Sequence, residues 1–464
     1  MARLQPQPLS PLDGRYQPAV AGLGEHLSEA GLNRARVRVE VEWLIALADR
    51  GAFGVAPLTA VEAADLRHWA FDFGPDEIAW LAEKEAVTRH DVKAVEYLVR
   101  ERLAATGLDR LAELVHFAAT SEDINNLAYA ITIRDALHGV WLPAFDALLL
   151  RLGELAAATA DAAMLARTHG QPATPTTMGK ELAVTLARLR RQRARVAAVE
   201  PLGKFNGATG TYAAHLAADP GLDWPALSRG FVTSLGLGWN PLTTQIESHD
   251  WQAELYQAVS LAGRILHAFC VDVWTYISLG YFRQIPVAGA TGSSTMPHKV
   301  NPIRFENAEA NLELASALLD SLAATLVESR LQRDLTDSTT QRNVGVALGH
   351  SLLAVDNVTR GLGEIDLDRG RLAEDLDANW EVLAEAIQTV IRAEVAAGRS
   401  SIADPYAVLK GLTRGRRVGR AELAAFVDGL DIGAEAKARL TALTPATYTG
   451  IAQRLAEQAA DAAG

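Results

Sequence analysis

The run Gly292-Ser293-Ser294-Thr295-Met296-Pro297-His298-Lys299-Val300-Asn301-Pro302 brings paired hydroxyls, a lysine and an asparagine into one short stretch. Gly289 and Gly292 allow the backbone to approach a ligand closely. Asn301 followed by Pro302 reads as an N-cap and first helical position, so a helix is expected where the loop ends. Free amide donors at such a helix start, with Lys299 beside them, favour a negative charge. A serine in that field has two uses: its alkoxide is stabilised, or it holds a carboxylate. A plain Ser/Gly surface loop is the competing reading, but Met296 and Val300 are poor choices for a solvated linker.

Four further segments stand at breaks between helical stretches: Arg89-His90-Asp91-Val92-Lys93, the run 119–126, the run 167–177 and the run 332–343. His169 precedes a glycine and has no apolar neighbours at helical spacing, so packing does not explain it. An imidazole there can give or take a proton near neutral pH; a hydrogen bond to its own turn is the alternative. His90, at a helix start beside Asp91, suits structure and function equally. Thr120 or Ser121 caps a helix whose first turn is acidic, a role compatible with ligand binding at the same N-terminus. Arg333 and Arg342 bracket Thr336, Ser338, Thr339 and Thr340. Guanidinium forks with hydroxyl donors suit a phosphate, and a surface helix end is the alternative.

Other chemistries lack their residues. The chain has no G-x-x-x-x-G-K-[S/T], which removes a P-loop, and no G-x-S-x-G, which argues against an α/β-hydrolase. There is no H-E-x-x-H, and Cys270 is the single cysteine, so a thiolate zinc site and an internal disulfide are not expected.

These residues need a scaffold, and composition favours helices. The chain has 464 residues, 49% hydrophobic and 22% charged, with only 6% aromatic and with Ala and Leu throughout. A net charge of −12 argues against a nucleic-acid partner. The N-terminal stretch has no apolar core, so no signal peptide is expected, and a reducing cytoplasm suits the lone cysteine. The most apolar segment, 253–282, is interrupted by Glu254, Arg264, His267 and Asp272, so no membrane span is expected. Met178, Leu182, Leu186, Leu189, Val196 and Val199 mark one face of a long helix. The arginines crowding it (188, 190, 191, 193 and 195) read as a solvated face or as salt bridges. Residues 253–282 are apolar on nearly every side, which calls for burial all round, and another long helix is expected over 302–331. The expected architecture is all-α in three parts: 1–110, a central long-helix bundle over 111–364, and 365–464. So much apolar perimeter implies an oligomer.

With the Ser-Ser-x-Met-Pro-x-Lys-x-Asn core joined to the histidine and Thr-Ser segments, the chain resembles the fumarase/aspartase superfamily. Leu12-Asp13-Gly14-Arg15-Tyr16, the runs 167–181 and 332–343, and 379–385 narrow this to a resemblance to the adenylosuccinate lyase family in its longer bacterial form. The chain departs from that pattern at Ala213 and Ala386, neither a matched catalytic position. The resemblance implies a three-domain helical subunit, a homotetramer with a twenty-helix core, active sites shared between subunits, and no metal or other cofactor. It implies β-elimination of fumarate from adenylosuccinate, giving AMP, and from SAICAR, giving AICAR. Ser293 would be the general base, His169 the general acid and Glu306 the residue orienting it. Lys299 and Asn301, with Thr120 and Ser121, would hold a succinyl carboxylate, with Ser294 and Val300 in the same loop. Arg15, Tyr16, Arg89, His90, Asp91, Gln245 and Asn307 would line the nucleotide. Arg333, Ser338, Thr339, Thr340, Gln341 and Arg342 would complete its phosphate end. Alternatives are a sister lyase acting on argininosuccinate, aspartate or malate, and a non-catalytic helical scaffold.

Overall fold

The computed structural model describes residues 8–286, 296, 299–413 and 418–461. Its first part is α1 (Gln17–Leu27), α2 (Glu29–Asp49), α3 (Ala60–Phe71), α4 (Pro75–Thr88), α5 (Asp91–Ala105), α6 (Ser121–Ala136) and α7 (Leu142–Ala158). A hairpin of β1 (Ala163–Thr168) and β2 (Gln171–Thr177) follows, then α8 (Met178–Ala198), β3 (Leu202–Gly203), α9 (Ala213–Ala218), α10 (Trp224–Ser234), β4 (Gly238–Trp239), α11 (Asp250–Ser278) and β5 (Phe282–Gln284). Next come α12 (Ile303–Leu326), α13 (Thr336–Gln341), α14 (Val344–Gly363), β6 (Ile365–Leu367), α15 (Arg369–Asp377) and α16 (Ala384–Ala396). The chain closes with α17 (Pro405–Thr413), α18 (Arg420–Asp428), α19 (Ala434–Ala442) and α20 (Ala452–Asp461). Among the described residues strands are few and pair only in twos, β1–β2 and β5–β6 antiparallel and β3–β4 parallel. The fold is all-α in class, as expected.

The three long helices lie close to their expected positions. In α8 the stripe Met178, Leu182, Leu186, Leu189 and Val196 is buried. The expected 253–282 helix stops at Ser278 because Gly280 turns left-handed (φ +76°). There the Tyr281 N–H returns to the Tyr276 carbonyl at 2.8 Å, a Schellman closure that only glycine makes without strain. Burial on every side of α11 is not complete in one chain: Leu261, Val271 and Trp274 stay about two-fifths exposed, at 40%, 41% and 44%. The third helix begins at Ile303, not Pro302, and the Pro302 carbonyl accepts from Phe305 (3.1 Å) and Glu306 (3.2 Å). Pro302 is therefore the cap. Proline's fixed φ fits either position, and the Asn301 side-chain oxygen accepts from Lys299.

Contacts divide the chain into two compact units. The first holds the described residues up to Phe145, with Gln192–Arg264 and Ala310–Asp356. Its core packs α2 on α6, with Trp43 meeting Phe205 at 4.0 Å and Phe231 at 5.1 Å between ring centres. The second holds Asp146–Arg191, Ile265–Glu309 and the described residues from Asn357 on. One of its cores joins Trp380, Leu383, Ile387 and Ile391 to Leu423, Val427 and Leu440.

Charge is buried in the first unit as well. The fully buried Glu40 carboxylate accepts the His116 backbone N–H at 3.1 Å and lies 2.6 Å from its Nδ1. Burial opposes the charged imidazole, but the Glu40 carboxylate outweighs it and raises the His116 pKa. A raised folded-state pKa stabilises fully below the unfolded value of about 6.5 and is lost as pH rises through the folded value. Denaturant stability of the wild type should therefore fall more steeply above neutral pH than that of His116→Asn, a residue that tolerates the φ of +59° found there. Equal slopes for the two chains would remove the assignment.

Candidate active site

In the second unit, β1 and β2 pair with Thr168 opposite Gln171, leaving His169 and Gly170 as a two-residue turn. Both have positive φ, +54° and +74°, as a type I′ hairpin requires. The segment expected as an irregular break is thus a hairpin presenting His169 at its exposed tip. Its base is fixed. Leu165 packs with Leu376 and Val382, and Arg167 bonds Asp375 at 2.5 Å. Asp375 also accepts from the Tyr281 hydroxyl, and Thr174 donates to Glu385. Among the described residues the His169 side chain has no hydrogen bond or ion pair of its own, so its ring is not consumed by the turn.

At the start of α12, also in the second unit, Lys299 donates to Asn301 (2.6 Å), and Val300 is exposed. Glu306 accepts from the Trp274 indole at 3.2 Å. Asn307 accepts from Asn357 at 3.0 Å. Ser293 and Ser294, with Gly289 and Gly292, lie outside the described residues.

The first unit holds the other polar and charged residues expected to line the nucleotide, Asn307 being in the second. Arg15 lies over the Tyr16 ring, 5.8 Å from its centre. Arg89 ends α4 in a left-handed turn (φ +53°), and His90 caps α5 through Nδ1, which accepts from Lys93 N–H at 3.2 Å. Its Nε2 is 3.5 Å from the Ser121 hydroxyl. Thr120 stands at the cap position of α6, where the Thr120 N–H donates to Asp123 at 2.8 Å and Thr120's own hydroxyl makes no cap bond. Asp91 accepts from Arg342 at 3.0 Å, and Arg342 also reaches Glu29 at 2.5 Å. Burial pushes the Asp91 carboxyl up, but the Arg36 and Arg342 guanidiniums and the Val92 N–H bring it below the ordinary range. Arg333 bonds Glu122 at 2.8 Å and Gln245 at 3.3 Å. Glu122 is nearly dry, and desolvation raises its pKa against the pull of Arg333. On α13 the Ser338 N–H donates to Asp337, while Thr340 donates to the Thr336 carbonyl and Thr339 is exposed. Gln341 is buried against His249, which also faces Asp337 at 3.5 Å.

Arg36 and His249 were not foreseen as parts of this cluster, and Glu122 and Asn125 only as members of the run 119–126, without a role of their own. A signal for Arg36 exists: it sits four residues after Leu32 and three before Val39, on the apolar stripe of α2, where charge is otherwise out of place. Among the described residues no group of three His, Cys, Asp or Glu side chains could hold a metal ion, and no helix is long and apolar enough to cross a membrane.

The long-helix architecture agrees with a lyase of the fumarase/aspartase type, the class that the family models assign. Residues 14–315 match the lyase family model, and residues 329–449 match the adenylosuccinate lyase C-terminal model. Two solved structures share the fold at TM-score 0.74: a 3-carboxy-cis,cis-muconate lactonizing enzyme from Pseudomonas putida (23% identity, 95% of this chain and 96% of that one) and a fumarate lyase from Mesorhizobium (22%, 96% and 98%). Curated adenylosuccinate lyases are far more similar. Those of Escherichia coli K12 and Haemophilus influenzae are each 48% identical over 452 residues, 97% of this chain and 98% of the relative. The chain belongs to the adenylosuccinate lyase family.

Proposed function

We propose that this chain, a carbon–nitrogen lyase, cleaves adenylosuccinate to AMP and fumarate and SAICAR to AICAR and fumarate. The observation carrying this reading is the 48% identity to the Escherichia coli adenylosuccinate lyase across nearly the whole chain. Ser293, as an alkoxide, takes a proton from the succinyl methylene, and the electron pair is first held by the adjoining carboxylate. That pair then forms the C=C bond as the C–N bond breaks, and His169 protonates the departing nitrogen. Lys299, Asn301 and the helix-start amides face the dianionic carboxylate, where one good preorganised donor is worth about 3–4 kcal/mol. A serine alkoxide demands a closed, dry loop. Arg333, Ser338 and Arg342 take the phosphate.

The exposed apolar residues Leu261, Val271 and Trp274 on α11 support assembly into a tetramer through its long helices. In that assembly Glu306 of another subunit orients His169, and three chains build each site. The reading keeps a three-part subunit divided near residues 110 and 364, with residence in the cytoplasm.

The test is an ultraviolet assay of the purified protein with adenylosuccinate, beside argininosuccinate, aspartate and malate. Rapid release of AMP and fumarate without added metal is expected. No turnover by a correctly assembled protein rejects the reading, and preference for another member of the panel assigns a sister lyase.

A further inference from the structure

Arg333 and Arg342 are joined through the protein interior by an unbroken line of polar contacts. Glu122 Oε1 accepts from Arg333 and from Asn125 Nδ2, both at 2.8 Å. Asn125 Oδ1 accepts from Arg36 Nε at 2.9 Å. Another Arg36 nitrogen donates to Asp91 Oδ2 at 2.8 Å, the same oxygen that accepts from Arg342 at 3.0 Å. The third donor group of Arg36 is held by Asn33 at 2.8 Å. Arg36 is 1% exposed, and each of its three nitrogens has a protein acceptor.

Such a group is poorly explained by stability. A buried guanidinium loses its hydration, and an apolar side chain of like volume often serves packing as well or better. What a rigid, three-armed fork supplies instead is geometry. It fixes the Asn125 amide, which fixes Glu122 and so Arg333. It also fixes the Asp91 carboxylate, which Arg342 must share. We propose that Arg36 is a positioning residue that sets the spacing of Arg333 and Arg342, and hence the enzyme's preference for a substrate bearing a phosphate. The proposal rests on the reading above that those two arginines take the phosphate.

Steady-state kinetics of wild type, Arg36→Met and Arg36→Lys with adenylosuccinate, and with the same succinylated nucleoside lacking its phosphate, test this. For Arg36→Met the KM for adenylosuccinate should rise about 10–100-fold, the range set by losing bonds to charged groups. Its kcat, and its KM for the phosphate-free nucleoside, should stay near wild type. Arg36→Lys keeps the charge beside Asp91 but reaches fewer acceptors. It should give a smaller rise in the same KM, and it carries the test alone if Arg36→Met does not fold. Equal losses on both substrates, a loss confined to kcat, or an unchanged KM in both variants would overturn the proposal alone. A wild type indifferent to the phosphate would overturn the underlying reading, and the proposal with it.

Discussion

His169→Asn is expected to lower kcat by about 10²–10⁴-fold, the range for loss of a positioned general acid. Asparagine is chosen because it tolerates the left-handed backbone found at this position (φ +54°), so the hairpin should survive the change. The exposed ring has no bond to its own chain among the described residues, so its loss leaves no orphaned partner in that chain. Melting temperature should hold while turnover collapses. Near-normal kcat in a well-folded variant would take the imidazole out of the reaction. Ser293→Ala should cost kcat on a similar scale, and Ser294→Ala beside it tells which of the two hydroxyls takes the proton.

Lys204→Met should cost stability more than any other single change considered. The Lys204 ammonium meets Asp123 at 2.9 Å, and both side chains are wholly buried. That carboxylate also accepts the N–H groups of Thr120 (2.8 Å), Asn206 (2.9 Å) and Gly207 (3.1 Å). It therefore pins the 204–207 segment to the start of α6. Removing the lysine leaves a dry carboxylate without its counter-charge, and breaking such a pair costs about 3–5 kcal/mol. Removing both ions should not restore stability, because three backbone donors would then lack an acceptor. Equilibrium denaturation of the single and double variants measures this, and a loss below about 1 kcal/mol in Lys204→Met would show that the pair is readily replaced. Because Thr120 and Ser121 sit on that helix start, substrate affinity should weaken alongside stability.

The long helices were legible because their apolar residues repeat at three and four over five or more turns, as in the stripe from Met178 to Val196. Their ends were less so. Gly280 stops α11 four residues before the apolar run does, and Pro302 is a cap where Asn301 had the better side chain for one. The hairpin was missed for a definite reason: Pro172 and Pro175 lie in β2, and proline argues against a strand in any larger sheet. In a two-stranded ribbon each strand has a free edge, so the missing N–H costs nothing there. Arg333 and Arg342 were visible as chemistry because charge and hydroxyls alternate around them. Their pairings were not, since Arg342 meets Asp91, Arg333 meets Glu122, and Arg36 meets Asp91 and Asn125 only once distant helices pack. Sequence spacing carries no record of such meetings.

The turn that carries His169 has an implication for how the chain could drift. An L-residue held at left-handed φ is uncomfortable by roughly 1–2 kcal/mol, and glycine relieves it. If fumarate release ceased to matter, His169→Gly would make the tip easier to form while abolishing proton transfer. A lineage drifting towards an inert structural role would thus lose its imidazole by relaxation alone, long before its helices changed.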